Sequence, residues 1–343
     1  MTRKRINLAL QGGGAHGAFT WGVLDRILED DRIEIAAISG TSAGALNGAA
    51  LKSGLLEGGA DGGKAKLDWL WGEIGATDQS HLHSWMHGVT PGNVSHAVGA
   101  SPLYQAIDIF SRMASPYNLG LLYAHPLRPI VEQLNFDEVC AKEGPDLFIC
   151  ATNVRSGKIR IFDHDDTDTD AILASGCLPT IFQAVEIFDP KTDRIEAYWD
   201  GGYMGNPALF PLFEPEFPAD VVIVNINPLH REDLPRKATE IQNRINEISF
   251  NGSLFRELRA VQFVRDLITS GKVTQGSMKD VLVHMISDDA LMNELSVATK
   301  SIPTPFVIQE LKLAGRNAAG AFLDAHFDDL NETSTVDLRA MFE

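Results

Sequence analysis

The sequence predicts an α/β protein on a mainly parallel sheet, with a helical cap insertion and a helical C-terminal extension. Three observations predict it. The first 51 residues read strand, helix, strand, helix. A later run, Val221-Val222-Ile223-Val224-Asn225, is nearly continuous in β-branched residues, as strands buried on both faces are. Segments of helical period fill the chain between the later strands and after them.

Taken in order, Ile6-Asn7-Leu8-Ala9-Leu10 is a short apolar strand ending in a glycine turn. Phe19, Val23, Leu24, Ile27 and Leu28 then mark one face of a helix. Ile35 to Ser39 is a second strand that runs into Gly40-Thr41-Ser42, and Ala43 to Leu51 is rich in small helix formers. The regular pattern lapses after about residue 75. Residues 78–124 mix Pro, Gly, Ser and His with Trp85, Met86, Leu103, Ile107, Ile109, Phe110 and Met113. A bare loop of that length is uncommon, so short helices capping the sheet edge are expected there.

Asp146 to Asn153 and Lys158 to Phe162 read as a hairpin joined through Ser156-Gly157. Ile195 to Trp199 and Val281 to Ile286 are further strands. Leu254, Phe255, Leu258, Val261, Val264 and Ile268 fall at helical spacing, as do Val307, Leu311, Ala314, Ala318, Phe322 and Ala325. With no linker or repeat, the expectation is one domain over 1–343, with a cap at about 78–124 and a helical extension at about 290–343.

Bulk properties narrow the function. A chain of 343 residues with 44% hydrophobic content can fill a large core. The balance of 46 acidic against 29 basic residues, a net charge of −17, argues against nucleic acid as a partner and against a polybasic route to anionic lipid. Contact with a membrane or lipid aggregate would have to come from apolar side chains. Cys140, Cys150 and Cys177 form no disulfide framework and no metal spacing, which fits a reducing compartment. The basic start Met1-Thr2-Arg3-Lys4-Arg5 precedes only five strand residues, too few for a signal peptide, and no run approaches a membrane span. A cytoplasmic protein is expected.

The chemistry gathers at Gly40-Thr41-Ser42-Ala43-Gly44, a Gly-x-Ser-x-Gly pattern between an apolar strand and a helix-forming segment. Glycines two residues either side permit a sharp strand-to-helix turn that leaves the serine hydroxyl exposed, the posture a nucleophile needs. Acyl transfer also needs donors for an oxyanion. Gln11-Gly12-Gly13-Gly14-Ala15-His16-Gly17, directly after the first strand, is a natural nest of backbone N–H groups. The same glycines match a dinucleotide fingerprint. Against that reading, Ile33 and Glu34 stand before the second strand about twenty residues on, and no Walker lysine exists.

A base is harder to place. Asp200-Gly201-Gly202 puts a carboxylate at a strand end, and reads either as an ordinary turn or as a base made effective by burial and contact with the serine. The alternative is a triad of Ser42, Asp200 and one of His230, His284 or His326.

Together the Gln11 to Gly17 loop, the Gly40 to Gly44 turn and Asp200-Gly201-Gly202 resemble the three signatures of patatin-like phospholipases, in the same order and at similarly wide separation. The resemblance implies a three-layer α/β/α sandwich and a Ser-Asp dyad without histidine. Ser42 would be the nucleophile, Asp200 the base, and Gly12, Gly13 and Gly14 with Ala15 the oxyanion loop. His16 stands where many relatives have Arg or Lys, so no fixed charge is implied beside that loop. His16 is a candidate modulator, read as a titratable donor or as a passive loop residue. Ala174-Ser175-Gly176-Cys177-Leu178-Pro179 resembles the family's stretch before the aspartate turn, and Ser334-Thr335-Val336-Asp337-Leu338 the end of a bacterial subgroup with a helical extension.

The implied substrates are phospholipids, lysophospholipids or other long-chain acyl esters, cleaved by a phospholipase A or lysophospholipase type of reaction. No cofactor is required. The rivals are an acyltransferase with the same acyl-enzyme and a silent lipid-binding protein. His81, His83 and His87 lack a carboxylate to complete a metal site, and the run Asp163, Asp165, Asp166, Asp168 and Asp170 lacks EF-hand spacing, so no metal is expected.

Overall fold

The computed structural model describes residues 3–75, 89–102, 104–106, 114–236, 238–274 and 276–342. Among the described residues, eight strands form one mixed sheet: β1 (Lys4–Leu10), β2 (Ile33–Gly40), β3 (Asp146–Asn153), β4 (Ile159–Asp163), β5 (Val185–Asp189), β6 (Arg194–Asp200), β7 (Asp220–Val224) and β8 (Leu282–Ile286). Their order is β5-β6-β3-β2-β1-β7-β8, with β4 paired to β3 off this path. The pairs β1–β2, β1–β7, β2–β3 and β7–β8 are parallel, and β3–β4, β3–β6 and β5–β6 are antiparallel.

The principal helices are α1 (Ala18–Ile27), α2 (Ala43–Ile74), α3 (Pro91–Ala100), α4 (Thr169–Ser175), α5 (Ala238–Thr269), α6 (Val297–Ser301) and α7 (Pro305–His326). They cover both faces, because successive strand residues point to opposite sides. In β1, Ile6, Leu8 and Leu10 join the core under α1, α2 and α7, while Ala9 joins Leu254, Leu258 and Val261 of α5. In β7, Val222 and Val224 go to the first core, Val221 and Ile223 to the second. The result is a three-layer α/β/α sandwich with a mainly parallel sheet.

Some elements depart from the sequence reading. α2 continues past Leu51 to Ile74 as two helical segments that break at Gly58 and Gly59, where the backbone leaves helical geometry and the chain turns back so that Trp71 Nε1 donates to Asn47 Oδ1 (2.9 Å). β5 was not expected. It is a half-exposed strand of five residues at the sheet edge, with too little periodicity to stand out. In the region read as a cap, α3 starts where Thr90 accepts a hydrogen bond from the Asn93 N–H (3.2 Å) and Pro91 opens the helix. Trp85, Met86, His81, His83, His87, Leu103, Ile107, Ile109, Phe110 and Met113 lie outside the described residues.

The acidic run has structural partners. Asp168 caps α4 by accepting from the Ala171 N–H (2.8 Å), Asp166 binds Arg160 and Asp170 binds Arg128. Among the described residues no group of three or more His, Cys, Asp or Glu side chains is arranged to hold a metal, and no helix is long and apolar enough to cross a membrane.

Candidate active site

β1 and β2 are neighbours and parallel, so the turns that follow them open at the same edge of the sheet. β6 is antiparallel to β3 and reaches that neighbourhood with Asp200 as its last residue. Three segments far apart in sequence therefore meet above β1, β2 and β3.

Ser42 caps the start of α2 with φ 55° and ψ −117°, a left-handed backbone that a non-glycine residue adopts only under constraint. The constraint is visible. The Ser42 N–H donates to Ser175 Oγ (2.8 Å), and Ser175 Oγ donates to the Cys150 carbonyl (2.6 Å). Thr41 Oγ1 donates to the Gly205 carbonyl (2.7 Å), and the Thr41 N–H to the Leu10 carbonyl (3.2 Å). A side chain at Gly44 would collide with the Leu10 carbonyl, so β1 and the start of α2 approach each other at a glycine.

Asp200 is 1% exposed. Its N–H donates to the Cys177 carbonyl (2.8 Å), its carbonyl accepts from Thr152 Oγ1 (2.9 Å), and its Oδ1 accepts from the Gly202 N–H (2.7 Å). Burial pushes the carboxyl up to about 7, against the opposing influence of the Gly202 N–H bond and of the nearby Ser42 hydroxyl. A serine hydroxyl thus stands beside a desolvated carboxyl whose proton affinity sits near neutrality, where a general base is most effective.

The three candidate histidines are elsewhere. His230 is 80% exposed and 3.9 Å from Glu232. His284 is fully buried on β8, its Nε2 2.9 Å from Asp220 Oδ1 and its Nδ1 3.2 Å from Thr335 Oγ1. Asp220 begins β7, so this pair lies toward the opposite end of the sheet from Ser42. His326 Nδ1 is 2.8 Å from Asp329.

The glycine loop passes over Ser42. A Cβ on Gly12 would lie 2.8 Å from Ser42 Cβ, which makes glycine the residue that fits. The Gly12 N–H donates to Asn206 Oδ1 (2.7 Å), so that N–H is already engaged. Gly14, Ala15, His16 and Gly17 form a 3-10 turn with Gly13 as its cap, and the N–H groups at the start of such a turn have no partner within it. Gly13, Gly14 and Ala15 therefore offer the loop's donors, while Gly12 supplies close approach.

His16 turns away from Ser42. Its buried ring shares a hydrogen bond with Thr299 Oγ1 (3.0 Å), which is also 3.0 Å from Ser95 Oγ of α3. Burial, with the nearby charges of Lys300 and Arg231, holds His16 well below the usual histidine range, so it is neutral.

Sequence reasoning passed over the residues that hold this loop. Gln11 Oε1 accepts from the Ile226 N–H (2.9 Å) and the Asn227 N–H (3.1 Å), and Asn227 Nδ2 donates to the Gly12 carbonyl (2.8 Å). The Asn206 N–H donates to Ser253 Oγ (3.1 Å), and Asn251 Nδ2 donates to the Pro228 carbonyl (3.0 Å). The available signal was faint: amide side chains just past an apolar strand, where apolar residues would otherwise fill the core.

A sequence model of the family described as patatin-like phospholipase matches residues 8–213, a span that includes Ser42, Asp200 and Asn206. Among solved structures the chain is similar to VipD from Legionella pneumophila, at 15% identity and a TM-score of 0.43, over 94% of this chain and 67% of that one. It is also similar to a chain of the heterodimeric ExoU-SpcU complex from the type III secretion system of Pseudomonas aeruginosa. There the identity is 15% and the TM-score 0.37, over 95% of this chain and 52% of that one. No curated protein matches the sequence.

Proposed function

The chain belongs to the patatin-like phospholipase family, a family of lipid-ester hydrolases, and on that premise we propose that it hydrolyses long-chain acyl esters through a Ser42–Asp200 dyad. One observation carries the reading: the Ser42 hydroxyl stands beside the buried Asp200 carboxyl and favours its charged form, and none of His230, His284 and His326 is bonded to either residue.

Asp200 accepts the Ser42 proton as Oγ attacks the acyl carbonyl. The oxyanion forms at the N–H groups of Gly13, Gly14 and Ala15, where preorganised donors act most strongly. Collapse expels the alcohol, which takes the proton back from Asp200, and leaves an acyl-enzyme. Asp200 then deprotonates water for attack on that ester, and the proton returns to Ser42 as the fatty acid leaves.

Phospholipids and lysophospholipids are the proposed substrates, with a phospholipase A or lysophospholipase type of cleavage. Contact with a lipid aggregate is supported by α5, whose Ile241, Ile245 and Ile248 are exposed at helical spacing along one face. That helix packs beside the turn after Asp200, where Phe250 meets Tyr203 edge to face with ring centroids 5.3 Å apart. Adhesion through apolar side chains suits a chain of net charge −17. Three free cysteines suit a cytoplasmic setting.

The test combines a fluorophosphonate probe with turnover of short-chain and long-chain esters. Labelling and turnover are expected for the wild type and lost in Ser42→Ala. Near-native turnover in Asp200→Asn, together with loss in His230→Ala, His284→Ala or His326→Ala, would replace the dyad with a triad. Transfer of the acyl group to an added alcohol in preference to water would make the enzyme an acyltransferase.

A further inference from the structure

The glycine loop lies against an element nearly three hundred residues away. A side chain on Gly14, where φ is 58°, would collide with the Lys300 carbonyl of α6. The Lys300 side chain turns under the loop, and its Nζ donates to Asn227 Oδ1 (2.9 Å). Asn227 Nδ2 in turn donates to the Gly12 carbonyl (2.8 Å) and to Gln11 Oε1 (3.2 Å). From the other side, Asn206 Oδ1 receives the Gly12 N–H. Both polar groups of Gly12 are thus held: Asn206 takes the N–H and makes a long bond to the carbonyl (3.4 Å), and Asn227 makes the shorter bond to that carbonyl (2.8 Å).

The direction of the Asn227 amide follows from its partners. An ammonium only donates, and the Gly12 carbonyl and Gln11 Oε1 only accept, so the oxygen must face Lys300 and the nitrogen must face the loop. Reversing the amide would set oxygen against oxygen at the loop and nitrogen against nitrogen at Lys300. The lysine enforces the same orientation from the oxygen side that the two acceptors require from the nitrogen side.

We propose that Lys300 is a positioning residue for the oxyanion loop, fixing the Asn227 amide and through it the Gly12 peptide, and lending the loop a positive charge that His16 does not supply. This rests on the reading of Ser42 as nucleophile and of the glycine loop as its oxyanion hole.

The surrounding charges are consistent with that role. Glu247 of α5 is the counter-charge, and it is shared with Arg231, at 2.8 and 2.7 Å, and with Arg244, at 3.3 Å. Three cations around one carboxylate leave this corner electropositive within an acidic chain. His16 faces it from the 3-10 turn and is neutral. Burial, partly offset by Glu247 and reinforced by Arg231, lowers Lys300 to about 8, so its charge is present at neutral pH and lost in mild alkali.

The experiment measures kcat and KM on a water-soluble short-chain ester between pH 6 and 10, for the full chain and for Lys300→Met, Lys300→Arg and Ser42→Ala. For Lys300→Met, kcat at pH 7.5 is expected to fall roughly 10- to 100-fold with KM within about twofold, less than the about 10²- to 10³-fold cost of deleting an oxyanion donor outright. The wild type should lose activity above pH 8, and Lys300→Arg, whose charge persists, should carry activity beyond pH 9. Native kcat in Lys300→Met overturns the proposal. Should Lys300→Met fail to fold, a Lys300→Arg enzyme with the wild-type alkaline limb overturns it equally. Turnover surviving in Ser42→Ala would sink the dyad itself, whatever the lysine variants do.

Discussion

Replacing Asp200 by Asn should disable the enzyme and stabilise it, and the size of the second effect follows from the burial of the carboxyl. Asp200 has a pKa near 3.8 when exposed and about 7 in the fold. The folded state therefore holds its proton to higher pH than the unfolded chain does. Below pH 3.8 the carboxyl is neutral in both states and imposes no penalty. Between 3.8 and 7 the unfolded chain ionises while the folded carboxyl keeps its proton, so stability falls, and above 7, where the fold carries the buried charge, the loss is complete. Three pKa units correspond to about 4 kcal/mol at pH 8 and above.

Asparagine has the same shape, still accepts from the Gly202 N–H, and carries no charge. For 343 residues, an unfolding entropy of about 2.1 cal/mol/K per residue converts 4 kcal/mol into roughly 6 °C of Tm. Thermal unfolding of both proteins should give Tm values within about 2 °C at pH 4.5 and a variant about 6 °C higher at pH 8.5. Turnover should fall by about 10²- to 10⁴-fold, the usual contribution of a general base. The wild-type kcat/KM should rise with pH through about 7 as Asp200 ionises, a limb absent from the residual activity of the variant. An Asp200→Asn protein no more stable at pH 8.5 than the wild type would refute the desolvated-carboxylate reasoning.

Three further expectations follow from the neighbouring contacts. Asn206→Ala removes the acceptor of the buried Gly12 N–H, so a loss of about 1–3 kcal/mol in stability and a kcat lower by at least tenfold are expected, measured by urea unfolding and ester turnover; unchanged kcat would show that Asn206 does not hold the loop. His284→Ala breaks a buried pair with Asp220 and should cost about 3 kcal/mol of stability while leaving kcat of the folded enzyme native. Ile245→Glu on the exposed face of α5 should weaken sedimentation with neutral phospholipid vesicles about tenfold or more, yet leave soluble-ester kcat/KM within about twofold; equal vesicle binding would remove α5 from the lipid contact.

Much of the fold was legible because strands and helices carry local periods. β1, the β3–β4 hairpin, β7, β8 and the faces of α1, α5 and α7 all stand in the apolar spacing. β5 escaped because five half-exposed residues at a sheet edge carry little pattern. The second half of α2 escaped because Gly58 and Gly59 break the helix and its apolar period, and the helical segment after them packs back on the first.

The sequence by itself determined what a few consecutive residues can force. Gly40 to Gly44 dictates a sharp turn with a serine at its tip, and Gln11 to Gly17 dictates a chain of backbone donors. Which partners those groups meet was decided by the tertiary structure, because the contacts join segments hundreds of residues apart and no local period encodes such a distance. β6 brings Asp200 to Ser42 and buries it, and burial is what raises a weak carboxylate base to about 7. α3 and α6 enclose His16 and leave it neutral. Asn206, Asn227 and Lys300, unremarkable where they stand in the chain, close around one glycine peptide beside the serine.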